Sequence, residues 1–134
     1  MVIDPSRIFL EKAQASLAGA ESEAANARYD NCANRAYYAC FQAAVAALLS
    51  AGIQSPNPQG HWSHTFVPGQ FVGQLINRRK LYPAALRDTL PRTYQLRQAA
   101  DYTDDITTET QAVRALRRAR EFVLAILEQG GETR

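Results

Sequence analysis

The segment RQAADY, residues 97–102, contains side chains whose types and spacing suggest chemistry. Arg97 and Asp101 are four residues apart, so a helix places them on one face, which Tyr94 shares. An exposed pair of this kind contributes roughly 0.2–0.5 kcal/mol, and arginine before aspartate is the less favourable order. The segment is therefore interpreted as a site, in which Arg97 binds a phosphate or carboxylate through two parallel hydrogen bonds. A surface ion pair is the alternative.

A second polar group, Asn34 and Arg35, interrupts the most apolar helical pattern of the chain within NRAYYACF, residues 34–41. A charge on a central helix needs a partner, because burying it alone is unfavourable. Arg35 could reach an edge of the fold and pair with an acid, for which Asp101 is the best-placed candidate. Alternatively, Asn34 and Arg35 line a groove that binds RNA or a nucleotide. The sequence predicts that both residues converge with Arg97 on one cleft.

The motif HWSH, residues 61–64, offers a third group at the end of a loop. Two histidines three residues apart are an incomplete metal site, because zinc needs three or four protein ligands. His64 could instead act as a general acid or base, since histidine titrates near neutral pH. The structural alternative is that Ser63 or His64 caps the next helix while Trp62 anchors the loop. We expect His64 near the mouth of the cleft, and no bound metal or cofactor.

Composition indicates one globular domain. The chain has 134 residues, of which 46% are hydrophobic and 21% charged, which suffices for a core and argues against disorder. A formal net charge of +2 provides no broad polybasic surface, so any anion-binding surface must be local. Only Lys12 and Lys80 are lysines among the 15 basic residues. This preference for arginine suits phosphate binding, but genome composition could equally produce it.

Apolar periodicity predicts the elements that must position these groups. Apolar residues recur at steps of three and four, no strand pattern appears, and prolines and glycines separate the periodic segments. The predicted fold is all-α, an up-and-down bundle of four to five antiparallel helices. The predicted helices begin at Asp4–Pro5, span about 30–50 and 68–80, begin again near Pro91, and span about 107–129.

The two cysteines predict buried, reduced side chains. Cys32 and Cys40 lie about 12 Å apart along one predicted helix, which is too far for a disulfide. The sequence begins without the pattern of a secretory signal, and its longest apolar stretch, residues 43–49, is too short to span a bilayer. These features predict a cytoplasmic protein that does not enter a membrane.

The three motifs together resemble one family. RYDNCANRAYYACFQAAVAALL, residues 28–49, is similar to the second helix of HEPN domains. HWSHTFVPGQF followed by LRQAADY resembles an uncharacterised bacterial and archaeal branch, and ALRRAREFVLAIL, residues 115–127, resembles the closing helix. The resemblance implies a single HEPN-like domain over residues 1–128, followed by a frayed tail over residues 129–134.

The resemblance also implies function. HEPN domains usually form homodimers, and many are metal-independent ribonucleases, often toxins paired with a minimal nucleotidyltransferase antitoxin. Their motif is an arginine and a histidine separated by four to six residues, and Arg97 matches the arginine. The histidine is absent, because Tyr102, Thr103 and Asp104 occupy the positions where it would stand.

That departure leaves two readings. The chain could be an RNA-cleaving or RNA-binding effector of a toxin–antitoxin or defence module. Arg97 would then hold the scissile phosphate, His64 and Asp101 would carry protons, and Tyr102, whose ordinary pKa is near 10, would be a weak base in the same site. Alternatively, a non-catalytic HEPN domain would bind a nucleotide or a nucleotidyltransferase partner through Arg97 and Arg35.

Overall fold

The computed structural model describes residues 4–132 and forms a helical bundle. No strand occurs in this range, so the prediction of an all-α fold is confirmed. The helices are α1 (Pro5–Ala25), α2 (Tyr29–Ser50), α3 (Phe66–Gln70, continued by a π-helix over Phe71–Arg78), α4 (Thr89–Tyr102) and α5 (Glu109–Glu132). In the described part of the chain, no helix is both long and apolar enough to cross a membrane.

Local sequence signals explain where the helices begin. Asp4 caps α1, since its carboxylate accepts a hydrogen bond of 3.0 Å from the backbone N–H of Ser6, and Pro5 occupies the first helical position. At α5, the Thr108 hydroxyl accepts from the backbone N–H of Gln111, whose side chain accepts from the backbone N–H of Thr108. This reciprocal capping box makes Glu109 the first helical residue, close to the predicted start.

Helix α2 is the centre of the bundle and packs against α1, α4 and α5. The sequence predicts two apolar stripes on this helix, one formed by Ala33, Tyr37, Cys40, Ala44 and Ala47 and the other by Tyr38, Phe41, Val45 and Leu48. All of these residues are buried except Tyr38, which is half-buried, as a central helix requires. Small side chains allow α1 to approach α2 closely, with Ala13 and Ala20 inaccessible to solvent. Because α4 also packs on α2, polar residues on the facing sides of these helices come together at one end of the bundle.

The predicted boundaries of α3 and α4 were inaccurate. Helix α3 begins two residues earlier than residue 68, and its second half adopts π-helical hydrogen bonding, which a 3.6-residue periodicity cannot predict. Helix α4 begins at Thr89, so Pro91 lies in its first turn. A proline is tolerated there because the backbone N–H groups of the first turn have no acceptor within the helix. The frayed tail proposed for residues 129–134 stays a prediction: α5 continues to Glu132, and residues 133–134 lie outside the described residues.

Both cysteines are buried and free, in accordance with the sequence expectation. Burial raises the pKa of the Cys40 thiol to about 12, and burial also raises the pKa of Cys32. A thiol that stays protonated is neither a nucleophile nor a metal ligand at neutral pH. Cys32 and Cys40 therefore serve as small core residues.

Candidate functional site

The side chain of Arg97 on helix α4 is fixed by two other residues of RQAADY. Its Nε donates to Asp101 Oδ2 over 3.1 Å, and its Nη2 donates to the Tyr102 hydroxyl over 3.3 Å. The Arg97 side chain is only 12% exposed. An ion pair on an open surface contributes little to stability. A mostly buried guanidinium that two neighbouring side chains fix is instead already oriented for binding an anion. RQAADY is therefore not a freely solvated helix edge.

Three tyrosine rings surround the Arg97 guanidinium. Its central carbon lies 5.3 Å from the ring centre of Tyr38, 5.4 Å from that of Tyr102 and 5.8 Å from that of Tyr37. Arginine stacked on aromatic faces is stabilised by cation–π attraction. Tyr37 and Tyr38 come from α2, so the contact between α2 and α4 determines where Arg97 lies.

Asn34 connects the two polar groups. Its Nδ2 donates to Asp101 Oδ2 over 2.8 Å, and its Oδ1 accepts from Nε and Nη2 of Arg35 over 3.2 and 3.0 Å. The expectation that Arg35 pairs with an acid was wrong: within residues 4–132 its guanidinium forms no ion pair and instead lies 5.4 Å over the Tyr38 ring. These hydrogen bonds connect a carboxylate, an amide and two guanidinium groups. The structure therefore brings four predicted residues together, namely Arg97, Asp101, Asn34 and Arg35.

Neighbouring residues of the HWSH motif make different contacts. The Ser63 hydroxyl accepts a hydrogen bond of 2.8 Å from the backbone N–H of Phe66, the first residue of α3, and so satisfies one free donor of the first turn. The centre of the Trp62 ring lies 6.2 Å from that of the Phe66 ring. His64 instead turns toward α2 and α4. The structural alternative thus holds for Ser63 and Trp62, while the imidazole of His64 lies with the functional residues.

His64 lies against a group of aromatic rings. Its ring centre is 4.9 Å from that of Phe41, 5.5 Å from that of Tyr37 and 5.8 Å from that of Tyr94. Its Nδ1 is hydrogen-bonded to the Tyr37 hydroxyl. Desolvation by these rings, followed by the positive charge of Arg97, lowers the pKa of His64 below its ordinary 6.5. At neutral pH the imidazole is therefore mainly uncharged.

His64 and Arg97 line the same cleft, which has a volume of about 670 Å³. This volume lies within the range of about 300–1,000 Å³ that is usual for small-molecule sites. Gln98 contributes a buried side-chain oxygen that has no hydrogen-bond partner within residues 4–132, and Tyr102 is 69% exposed at the edge. The walls are formed by His64, Tyr94, Arg97, Gln98, Ala99, Tyr102 and Thr103. Asp101, Asn34 and Arg35, which were expected on the same cleft, do not line it and reach it only through the hydrogen bond that Arg97 donates to Asp101.

This cleft explains how a histidine can accompany Arg97 although none follows it in the chain. Helix α4 ends at Tyr102, and the Thr103 hydroxyl donates to the backbone carbonyl of Ala99 over 2.7 Å. His64 enters the cleft from the segment before α3 instead. An uncharged imidazole and a fixed guanidinium therefore face one volume, where both can donate hydrogen bonds to an anion.

A metal centre gains no support from this geometry. Within residues 4–132, no three His, Cys, Asp or Glu side chains lie close enough together to hold a metal ion. His61, the other histidine of the motif, is exposed, and its backbone carbonyl accepts a hydrogen bond from the Ser55 hydroxyl. The contacts that the sequence does not predict are aromatic: Tyr37 lies on an apolar stripe of α2, and only the structure shows its contact with His64.

Comparison with known proteins relates this geometry to a family. The family model described as the HEPN domain matches residues 6–129. The protein named "Putative toxin MJ0605" from Methanocaldococcus jannaschii is 30% identical over 120 residues, which cover 85% of this chain and 80% of that protein.

A solved structure shows a similar fold. The crystal structure of TT1696 from Thermus thermophilus superimposes with a TM-score of 0.76 at 18% identity, covering 95% of this chain and 99% of that one. At that identity the similarity concerns the fold alone. Since the family model spans nearly the whole described bundle, including the helices that form the cleft, the chain belongs to the HEPN domain family.

Proposed function

We propose that this protein is an RNA-directed effector of a toxin-type module, and that its cleft binds and cleaves RNA at a phosphodiester. The main observation in support is the Arg97 guanidinium, held by Asp101 over 3.1 Å and lining one cleft together with His64. A planar, fixed guanidinium recognises phosphate oxygens by paired hydrogen bonds. The name of the Methanocaldococcus relative, "Putative toxin MJ0605", supports the biological setting.

The proposed reaction needs no metal, as the family resemblance implies. Arg97 binds the phosphate and stabilises the charge that develops on it. Asp101 takes the proton of the RNA 2′-hydroxyl, whose oxygen then bonds to phosphorus. The bond from phosphorus to the 5′-oxygen breaks. The single N–H of the uncharged His64 donates a hydrogen bond to the departing oxygen, which takes its proton from water, and the resulting hydroxide accepts the proton held by Asp101. The products are a 2′,3′-cyclic phosphate and a 5′-hydroxyl. Tyr102 accepts a hydrogen bond from Arg97 and so lies next to the group that binds the phosphate.

The same cleft has room for more than a phosphate. Its volume of about 670 Å³ and the rings of Tyr94 and Tyr102 suit a nucleotide unit with its base. Asn34 and Arg35 extend the polar surface from Asp101 along α2 and provide contacts for the neighbouring RNA backbone. An effector that acts on cellular RNA would work in the cytoplasm, as a homodimer and with a nucleotidyltransferase as its neutralising partner.

One observation favours a second candidate function, which is non-catalytic binding of a nucleotide or of a nucleotidyltransferase partner. Asp101 Oδ2 accepts hydrogen bonds from both Arg97 and Asn34. A carboxylate oxygen that already accepts two hydrogen bonds serves to orient its donors. In this alternative, Asp101 only orients Arg97, and the cleft binds a phosphate group without breaking a bond.

The two candidates differ in their dependence on the 2′-hydroxyl. We expect the purified protein to cleave a single-stranded RNA of randomised sequence, and to bind the all-deoxy version without cleaving it, because the deoxy strand lacks the attacking oxygen. A deoxy strand with one internal ribonucleotide should be cut once, after that nucleotide. Product ends can be read by mass spectrometry.

The remaining outcomes decide against cleavage in different ways. Binding of both strands without any cut would establish the non-catalytic candidate. Cleavage of the all-deoxy strand would contradict the proposed 2′-hydroxyl attack. Failure to bind either strand would remove RNA as the ligand.

A further inference from the structure

Tyr37 is a core residue that contacts both functional groups of the cleft. It lies on α2 and is only 1% exposed. Its hydroxyl is hydrogen-bonded to His64 Nδ1, while its ring lies 5.8 Å from the Arg97 guanidinium carbon. The backbone of α2 therefore fixes, through one side chain, where the imidazole stands relative to the guanidinium. The mechanism proposed above does not use this tyrosine.

The hydrogen bond between Tyr37 and His64 has a preferred direction. Burial raises the pKa of Tyr37 strongly, so its hydroxyl keeps its proton at all physiological pH values. A buried hydroxyl proton needs an acceptor, because leaving it unbonded costs the full desolvation penalty of the group. Among the described residues, His64 Nδ1 is the side-chain atom bonded to that hydroxyl. Tyr37 therefore donates and Nδ1 accepts.

We propose that Tyr37 is a positioning residue that fixes the tautomer of His64, so that the imidazole carries its proton on Nε2 and acts in the cleft as a hydrogen-bond donor beside Arg97. The hydrogen bond at one ring nitrogen determines which nitrogen is protonated. The effect on RNA rests on the proposed function, whereas the tautomer itself does not. His64 is thereby a donor to phosphate or to the departing oxygen, and not the base for the 2′-hydroxyl.

The groups around His64 agree with an uncharged donor. Tyr37 and Tyr38 face it from α2, and Tyr94 faces it from α4. Arg97 is the charged group that acts on it, and its positive charge opposes a second proton on the ring. Protonation of Nδ1 would also leave the Tyr37 hydroxyl proton without an acceptor. Both effects keep the imidazole in the form with a single proton, on Nε2.

The test is nitrogen NMR of histidine-labelled protein, which distinguishes the two ring nitrogens. In the wild type near pH 7 we expect His64 Nε2 to be protonated and Nδ1 to be unprotonated. Tyr37→Phe keeps the ring on which Arg97 stacks but removes the hydroxyl, so His64 should become a mixture of tautomers. The matched control is Tyr82→Phe, since Tyr82 is also buried but stacks on Phe71 away from the cleft.

Kinetics give a second readout. Tyr37→Phe should lower kcat for RNA cleavage about tenfold, the effect of one lost hydrogen bond, while KM stays nearly constant because Arg97 still binds the phosphate. Tyr82→Phe should change neither value. Equal losses in both variants would indicate a general packing effect and overturn the proposal.

The NMR result stands apart from the proposed function. A wild-type His64 with its proton on Nδ1, or a tautomer unchanged in Tyr37→Phe, overturns the positioning role whether or not RNA is cleaved. If the tautomer shifts as expected in a protein that neither binds nor cleaves RNA, the positioning role holds and the proposed function fails. The wild-type spectrum alone is decisive should Tyr37→Phe not fold.

Discussion

Replacing Arg97 with alanine is expected to lower RNA cleavage by about 10²–10³-fold or more, because the substitution removes the donor group that stabilises the developing phosphate charge. Binding of an uncleavable RNA should weaken as well. The fold should persist, since Arg97 lies at the edge of the cleft on tyrosine rings, and Asp101 keeps its hydrogen bond from Asn34. Cleavage rates, anisotropy and thermal unfolding followed by circular dichroism measure the three effects.

Two further variants determine what the Arg97 result means. Arg92→Ala removes an exposed arginine from the same helix and should leave cleavage unchanged, which controls for net charge. Arg97→Lys keeps the charge but loses the planar pair of donors, so its activity should fall between those of the wild type and the alanine variant. If Arg97→Ala unfolds the protein while Arg97→Lys binds RNA as tightly as the wild type, the arginine is a structural support and not a phosphate ligand.

Replacing Phe122 with alanine is expected to destabilise the bundle by about 3–5 kcal/mol, the usual effect of removing a large buried aromatic ring. Phe122 is 0% exposed and its ring centre lies 4.9 Å from that of Phe71, so the substitution leaves a cavity between α5 and α3. Domains of this size are stable by only about 5–15 kcal/mol, so much of the folding free energy would be lost. Urea unfolding at fixed protein concentration measures the change.

A control for this loss lies on the same helix. Leu124 is 52% exposed, and Leu124→Ala should change stability by only about 0.5 kcal/mol or less. A similar loss in both variants would mean that the outer face of α5 is covered, as a homodimer interface through that face would require. A small loss in Phe122→Ala would contradict the assignment of Phe122 to the core.

The sequence predicted the fold well because the dominant signal is local. Two adjacent apolar stripes on residues 30–50 identify α2 as central, and a cap followed by proline locates the start of α1. The π-helical part of α3 was missed because its hydrogen bonds span five residues. Pro91 predicts a helix start only approximately, because a proline also fits the first turn of a helix that begins at Thr89.

The site was predictable only in part, for a physical reason. Arg97 and Asp101 share a helical face by spacing alone, so their contact follows from the sequence. The hydrogen bond between Asn34 and Asp101 joins residues 67 positions apart and depends on how α2 packs against α4. The error at Arg35 has the same origin, since the amide of Asn34 next to it satisfied the guanidinium where a carboxylate was expected.

Tyr37 shows the limit of pattern analysis most clearly. A tyrosine on an apolar stripe indicates a core residue, which it is. The positioning role proposed for Tyr37 depends on its contact with His64, which lies in a loop 27 residues later, and no periodicity of the sequence predicts that contact. A pair of adjacent tyrosines facing a helix with Tyr94 and Arg97 is the signal that could have indicated an aromatic wall.

The most direct test of the central claim, that the cleft beside Arg97 binds RNA at a phosphate, is an NMR titration of the labelled protein with a 2′-O-methyl RNA, which cannot be cleaved by the proposed attack. We predict that the resonances of the Arg97 side chain, His64 and Tyr102 shift together and saturate, and that Arg97→Ala abolishes these shifts. The competing surface is the face of α5 beside α4, which includes Arg114 and Arg118. Shifts confined to that face, with the cleft resonances unchanged, would contradict the account.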